Sequence, residues 1–288
     1  MVSLHSVWHS TRIRFRRLIG SRKFAIILIC QLIFCYYIFV PMTRLAMAYR
    51  TGIPPAACVF YLSFYRMLVL HGGVTVFLFS DLLASDSFIL WQILRMGKRS
   101  YILGQILYVF LLSFLNVTIL YLFSLILTAP VLTSFSEWGK LMYTMARNLG
   151  RMSEVTGILA SFGINEMILN TMSPLDAVGS GMLMLWLTSS FIGTTILFFT
   201  VFLNRETGII VCGIMVSMTM FAMFTGLVTI GKWLNYISPL SWSYIGNLDL
   251  YRTGEWPTLR YAVVFLTVGI SAEICGILIR FPVCDLKE

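Results

Sequence analysis

The sequence predicts an all-α polytopic membrane protein with six transmembrane helices. Of its 288 residues, 58% are hydrophobic and 11% are charged, and the mean hydropathy is +0.86. A soluble domain carries about a quarter charged residues. The apolar residues fall in long runs, and about 20 helical residues cross a hydrocarbon core of ~30 Å. Six such spans leave little chain for anything else, so residues 1–288 are expected to form a single transmembrane domain.

Residues 1–23 are predicted to form an amphipathic, basic helix on the membrane surface ahead of the first span. Its apolar stripe consists of Leu4, Val7, Trp8, Thr11, Phe15 and Leu18. The arginines that lie mostly off this stripe are Arg12, Arg14, Arg16 and Arg17. This pattern is typical of a helix on an anionic membrane face. A cluster of charges that only sets the orientation of the chain is the alternative, and both can hold.

Six apolar runs supply the predicted spans. Their approximate bounds are 24–40, 56–79, 101–129, 177–203, 207–230 and 258–279. The span at 101–129 is longer than a bilayer needs, so it should tilt or protrude. Aromatic residues are frequent in the connection 231–257, where they suit the headgroup level.

The longest connection, 130–177, is predicted to contain a helix at the membrane interface. Ser134 and Glu137 form an S-x-x-E capping box. Behind it, a single helical face consists of Trp138, Leu141, Met142, Met145, Leu149 and Met152. A second, weaker helix is expected over 155–169, ended by the Ser-Pro pair at 173–174.

The segment 81–100 mixes groups that a bilayer core cannot hold, so we expect it in water at the membrane surface. It carries two carboxylates, then an apolar helical patch, then Arg95, Lys98 and Arg99. Ser80 and Asp81 are candidate caps for its first turn. The apolar patch places Phe88, Trp91 and Gln92 on one face, and Gly97 can end the helix. A short helix between two spans is well placed to receive a push from a soluble partner. An ordinary interfacial loop is the alternative.

The distribution of Lys and Arg predicts the orientation. These residues are denser in 1–23, 81–100, 204–207 and 280–288 than in the other connections. The positive-inside rule therefore places both termini in the cytoplasm. The connections 130–177 and 231–257 are then extracellular.

The chemical motifs of enzymes are largely absent from the sequence. It has no G-x-x-x-x-G-K-[ST] loop, no G-x-S-x-G and no H-E-x-x-H, so we expect no nucleotide, catalytic or metal site of its own. The six cysteines include no C-x-x-C pair, which disfavours a zinc site. The net charge of +9 could suggest a nucleic-acid partner, but in so apolar a chain basic residues usually flank spans. No nucleic-acid partner is expected.

Three ionisable residues lie within the predicted spans. Arg66 falls near the middle of the second span, His71 follows it, and Glu273 lies in the sixth span at a depth similar to that of His71. Charges at such depth cost several kcal/mol unless they are paired or hydrated. We predict that the three line a polar cleft. The alternative is a structural pair that locks the second span to the sixth.

Several segments together resemble the permeases of type-2 ABC exporters of Gram-positive bacteria. Besides the basic N-terminal helix, the resemblance rests on FLFSDLLASDSFILWQILRMGKRSYILGQ (77–105), FSEWGKLMYTMA (135–146), SPLDAVGSGMLMLWL (173–187) and YISPLSWSYIGNL (236–248). It extends over nearly the whole chain. The connection 130–177 is larger than in the simplest members of the class.

The resemblance implies a transport subunit in the bacterial cell membrane, not an enzyme. In such exporters the loop after span two is the coupling helix that docks on a separate ATPase, which binds ATP and Mg. Two permease subunits, identical or different, pack around a pathway for an amphipathic or apolar substrate such as a peptide, lipid or drug. The residues expected to couple to the ATPase are Asp86, Phe88, Trp91, Arg95, Arg16 and Arg17.

Two other classes of function remain open from the sequence. An ion-coupled secondary transporter or channel would use Arg66, His71 and Glu273 as its ion path, although no inverted repeat is evident. A non-transporting membrane anchor or sensor would recruit partners through 81–100. An ATPase that co-purifies with the chain would favour the exporter over both.

Overall fold

The computed structural model describes residues 4–83, 87–159, 162–224, 229–254 and 256–282, without the side chains of 87–90, 223–224 and 229–232. These residues are 82% helical and contain no strand, which confirms the all-α class. The helices, in chain order, are α1 (Leu4–Ile19), α2 (Arg22–Ala48), α3 (Tyr65–Phe79), α4 (Ser87–Met96), α5 (Lys98–Thr128), α6 (Gly139–Thr156), α7 (Glu166–Thr171), α8 (Pro174–Phe202), α9 (Arg205–Phe224), α10 (Thr229–Ile237) and α11 (Leu259–Arg280). The short 3₁₀ helices are η1 (Pro55–Leu62), η2 (Ala129–Val131), η3 (Pro239–Ser243) and η4 (Ile245–Asn247).

Five helices in the described part of the chain are long and apolar enough to cross a membrane. They are α2, α5, α8, α9 and α11. The pair η1 and α3 makes a sixth if its two pieces are counted as one span. The count of five to six agrees with the membrane protein expected from composition.

The first predicted span ended too early, because α2 continues through Pro41 to Ala48. A proline inside a helix removes one backbone hydrogen bond and usually kinks or ends the helix. Here the flanking turns are buried at Ile38, Phe39 and Met42. We attribute the continuity of α2 to this packing, which offsets the cost of the proline.

The second predicted span, 56–79, is not one straight helix. η1 and α3 meet at an angle of 87°, and seven of the eight residues of η1 are buried. Irregular backbone at membrane depth is tolerated where it is buried in protein. The Ser63 hydroxyl at the corner accepts a hydrogen bond of 3.0 Å from the backbone N–H of Gly163. The corner is thereby tied to the connection 130–177.

The helix predicted around Trp138 is confirmed as α6. Leu141, Met142, Met145 and Met152 are buried on one side of it. The predicted capping box is wrong, because α6 begins only at Gly139, and Ser134 instead accepts a hydrogen bond of 3.3 Å from the N–H of Ser136.

The remaining part of that connection also differs from the prediction. The weak helix expected over 155–169 is reduced to the six residues of α7. Ser173 does not end it but caps α8, since its hydroxyl accepts from the N–H of Asp176 at 3.2 Å. Proline is favoured in the first turn of a helix, where its missing N–H costs nothing, so Pro174 fits this start.

α8 lies at the centre of the bundle and packs against α5, α9, α11, η1 and η3. Close approach depends on Gly193, where an added Cβ would lie 2.5 Å from Cγ1 of Val109 on α5. The two ends of the bundle are named here by the helix found at each. The α4 face holds α1, α4, the starts of α2, α5 and α9, and the ends of α3, α8 and α11. The α6 face holds α6, α7, η1, η3 and η4.

Candidate functional site

A carboxylate on the α4 face joins three helix ends. The Nζ of Lys23, at the start of α2, donates to Oδ2 of Asp81 at 2.7 Å and to the hydroxyl of Ser80 at 3.0 Å. Arg205, at the start of α9, donates to Oδ1 of Asp81 at 3.1 Å and to the carbonyl oxygen of Ser80 at 2.6 Å. Ser80 and Asp81 directly follow α3. The starts of α2 and α9 are thereby held to the end of α3.

This arrangement corrects the capping role predicted for Ser80 and Asp81. They precede α4 by several residues. Ser80 binds cations from other helices through its hydroxyl and its carbonyl oxygen, and Asp81 does so through its carboxylate. Sequence reasoning missed Lys23 and Arg205 as their partners. The available signal was position, since all these residues lie directly at the ends of apolar runs.

Lys23 is the most enclosed member of this cluster. Its side chain is 14% exposed, against 57% for Asp81 and 41% for Arg205. Its ammonium also lies 5.2 Å from the centre of the Phe77 ring, within the range of a cation–π contact. An enclosed ammonium depends more on its carboxylate than a solvated one does.

α1 is fixed against the start of α5. The hydroxyl of Thr11 donates to the carbonyl of Gly104 at 3.0 Å, and Nη2 of Arg14 donates to the hydroxyl of Tyr101 at 2.7 Å. Glycine is needed at 104 because a Cβ there would lie 2.7 Å from Cβ of Ser10 and 3.1 Å from the carbonyl of Val7. α1 is therefore part of the folded bundle.

The predicted apolar stripe of α1 is divided between two sides. Val7, Thr11 and Leu18 are buried, whereas Leu4 is 86% and Trp8 57% exposed. The arginines named as coupling candidates on this helix, Arg16 and Arg17, are also exposed.

α4 has one side buried and one side exposed. Gln92 and Ile93 are buried, whereas Trp91 is 73% and Leu94 80% exposed. Trp91 and Gln92 therefore do not share a face as predicted. Arg95 is exposed next to Leu94. We call Trp91, Leu94 and Arg95 the α4 surface.

The end of α4 follows the sequence prediction. Gly97 has a φ of +82°, which favours glycine, and its N–H bonds to the carbonyl of Ile93 at 2.8 Å. Of the other coupling candidates, Asp86 and the side chain of Phe88 lie outside the described residues.

The end of α11 closes the α4 face. Nζ of Lys98 donates to the carbonyl of Pro282 at 3.3 Å, and the rings of Tyr101 and Phe281 stack with centres 6.2 Å apart. The four segments predicted to share one side of the membrane therefore come together at one end of the bundle.

The intramembrane candidates do not meet one another. Arg66 lies in the first turn of α3, exposed, with Nε 3.3 Å from the hydroxyl of Tyr65. The prediction had Arg66 near the middle of a straight span, whereas the corner before α3 places it at the start of a helix. Among the described residues no ion pair links Arg66 to Glu273, so the locking pair does not form either.

His71 is buried at 2% exposure, and its ring centre lies 6.0 Å from that of Tyr61, edge to face. Its neighbour Gly72 lets α3 approach η3, because a Cβ at Gly72 would lie 2.5 Å from Cδ2 of Leu240. These contacts place His71 in the packing between α3 and the buried 3₁₀ segments.

Glu273 lies on α11 and faces α8. Its two carboxylate oxygens lie 2.5 Å from the hydroxyl of Thr194 and 2.6 Å from that of Thr195. Arg66, His71 and Glu273 thus each have different neighbours, and the single cleft predicted for them is not what these contacts show.

The described residues of the α4 face make contacts between helix ends. Within the described ranges no three His, Cys, Asp or Glu side chains converge as metal ligands would. Its described charged residues are exposed to solvent or bound within the protein, to one another or to groups such as the Tyr101 hydroxyl and the Pro282 carbonyl, which suits mechanical connection and docking. Comparisons of the chain with protein-family models, with curated proteins and with solved structures found no match.

Proposed function

We propose that the chain is the membrane-spanning permease subunit of an ATP-driven ABC exporter in a bacterial cell membrane. The observation that carries the proposal is the α4 surface. Trp91 and Leu94 are almost fully exposed on a helix whose opposite side is buried at Ile93. Large apolar residues on a short helix at one end of a membrane bundle are typical of a contact with a soluble partner.

The connections of α4 suit it to transmit a push. On one side it continues through Gly97 into α5, and on the other it leads back to Asp81, which holds Lys23 of α2 and Arg205 of α9. A displacement of α4 would therefore reach α2, α3, α5 and α9 together. Such movements of rigid helices around fixed contacts are a general means of opening and closing a pathway.

The partners follow from this role. Separate ATPase subunits would bind the α4 surface and supply ATP and Mg, and the exposed Arg16 and Arg17 of α1 would add charge at the same end of the bundle. A second permease subunit would complete the pathway. The cargo is an amphipathic or apolar molecule that travels outward.

The test is to purify the tagged chain from its own membrane and identify the proteins that accompany it. We expect an ATPase with the wild-type chain, and at least a tenfold loss of it with Trp91→Ala combined with Leu94→Asp. The control is Leu122→Ala, since Leu122 is 49% exposed on α5 away from α4. The proposal fails if no nucleotide hydrolase co-purifies, or if a label attached at position 94 is reached only from outside the cell.

Ion-coupled transport is a second candidate, favoured by one observation. Glu273 is an acidic group within an apolar helix, where ionisable residues commonly serve ion pathways. Transport by the purified chain in liposomes, driven by a proton gradient without any ATPase and lost in Glu273→Gln, would support this function in place of the exporter.

A further inference from the structure

A groove opens on the side of the bundle between α8 and α11. Its volume is about 630 Å³, and its apolar wall includes Phe191, Tyr261, Val264, Phe265 and Val268. Val264 is 59% and Val268 63% exposed, so the groove is open laterally, where lipid chains would lie. A volume between about 300 and 1,000 Å³ suits a molecule of drug size.

Glu273 supplies the negative charge of this groove. Both of its hydrogen-bonding hydroxyls come from α8, at Thr194 and Thr195, and the residue also lines the groove. No Lys, Arg or His of the described chain lies within ion-pair distance of it. An ionised carboxylate in hydrocarbon is costly unless it is hydrated or paired with a cation.

Arg260, the positively charged residue that lines the groove, is too far from Glu273 to form an ion pair with it. Arg260 lines the opposite end, and the axial rise of an α-helix places it roughly 20 Å from Glu273 along α11. Glu273 lies about 10 Å from Arg280 by the same measure, which puts it in the half of the membrane next to the α4 face. The deep part of the groove is therefore acidic and apolar at once.

We propose that this groove binds a lipophilic monovalent cation, with its charge against Glu273 and its apolar body against Phe191, Phe265 and Val268. Aromatic rings attract cations as well as apolar groups. Phe191 and Phe265 therefore suit both the charge and the apolar body of the ligand. The ligand would enter sideways from the half of the bilayer next to the α4 face. As a statement about cargo this rests on the proposed exporter, but binding itself requires only this chain.

The experiment measures equilibrium binding of radiolabelled tetraphenylphosphonium to the purified chain in detergent, without nucleotide or ATPase. We expect saturable binding that weakens at least tenfold in Glu273→Gln, a substitution of nearly the same shape. The control is Glu206→Gln, which removes an exposed carboxylate at the start of α9. Neutral triphenylphosphine oxide should not compete.

A second pair of variants tests the groove independently of its charge. Val268→Trp should narrow it and weaken binding, whereas Ile214→Trp, at a 55% exposed position of α9, should not. The proposal is overturned if Glu273→Gln binds the cation as well as wild type, or if the neutral compound competes equally. Because the assay contains no ATPase, loss of ATPase co-purification with retained binding would reject the exporter alone.

Discussion

The ammonium of Lys23 lies 2.7 Å from the carboxylate of Asp81 and joins the start of α2 to the end of α3. The second oxygen of Asp81 binds Arg205 at 3.1 Å, so one carboxylate serves two helices that are far apart in sequence. The pair of Asp81 with the half-exposed Arg205 contributes only about 0–1 kcal/mol to stability, whereas loss of the carboxylate would leave the enclosed Lys23 unpaired at a higher cost. The cluster therefore fixes three helix ends to one another.

Under the proposed exporter function, replacing Asp81 with Asn should impair transport and also lower stability. The substitution keeps the shape but removes the charge that binds Lys23 and Arg205, and since the Lys23 side chain is only 14% exposed we expect a stability loss of about 1–3 kcal/mol. Export should fall at least tenfold. The measurements are thermal unfolding in detergent and transport in liposomes, with Glu206→Gln as control. Normal transport in Asp81→Asn would contradict the mechanical role.

Gly104 should not tolerate even alanine. The new methyl group would meet Ser10 and the backbone of Val7 on α1, and overpacking of this kind costs about 1–3 kcal/mol. We expect a lower unfolding temperature and faster protease cleavage of α1. Gly73→Ala is the matched control, since nothing lies within 4 Å of a Cβ there. Equal behaviour of the two variants would show that α1 is not held as described.

The hydrogen bond from Gln31 to Asn116 should be worth little but should be measurable. It joins α2 to α5 between two residues that are each less than 5% exposed, and such bonds inside membrane bundles average about 0.6 kcal/mol, with a maximum near 1.7. Gln31→Leu and Asn116→Leu should each destabilise the fold, and the double variant should lose less than their sum. Strict additivity in a double-mutant cycle would show that the bond contributes nothing.

The stability of the loop after η4 should depend on pH through the ionisation of Asp249. Burial raises the pKa of the Asp249 carboxyl. The carboxylate accepts hydrogen bonds from the N–H groups of Thr253 and Gly254, at 2.9 and 2.7 Å, and from the Thr253 hydroxyl. These bonds outweigh the effect of burial and hold the pKa below its ordinary 3.8. Because the pKa is lower in the folded state, the ionised carboxyl stabilises the fold. This contribution is present in full above pH 3.8, the ordinary pKa, and is lost as the pH falls through the lower pKa of the folded state.

Asp249→Asn should therefore lower the unfolding temperature at pH 6, and the difference from wild type should shrink below about pH 4. Thermal unfolding at pH values from 3 to 6 measures this. Glu154→Gln, an exposed carboxylate on α6, serves as control. A difference that is constant across the range would contradict the assignment.

The fold class and most long helices could be predicted because hydropathy alone determines them. α6 was also predictable, since its buried residues follow a strict helical spacing that ends with Met152. The bend before α3 was not, because the η1 segment is as apolar as a straight span, and only its burial against α8 sets it apart. The continuation of α2 through Pro41 likewise depends on packing and is invisible in the local sequence.

The candidate site was predicted as a region but not as a set of contacts. Charge and periodicity indicated α1 and α4, and the structure places both at one end of the bundle. The partnership of Lys23, Asp81 and Arg205 was missed because its two ion pairs join residues separated by 58 and 124 positions. The grouping of Arg66 with Glu273 was wrong because depth along a straight span is no guide once the chain turns.

The bent second segment also has a consequence for the surrounding lipid. α3 contains 15 residues and is about 22 Å long, while an average hydrocarbon core measures ~30 Å. Leu70 and Phe77 of α3 face outward. The apolar surface that α3 presents to acyl chains is therefore shorter than that of the 31-residue α5. In a bilayer of average thickness we expect the leaflets to thin on that flank and not on the other, which would be a built-in mismatch. The mismatch should be smaller in bilayers of shorter-chain lipids, and thicker bilayers should increase the strain at the corner between η1 and α3.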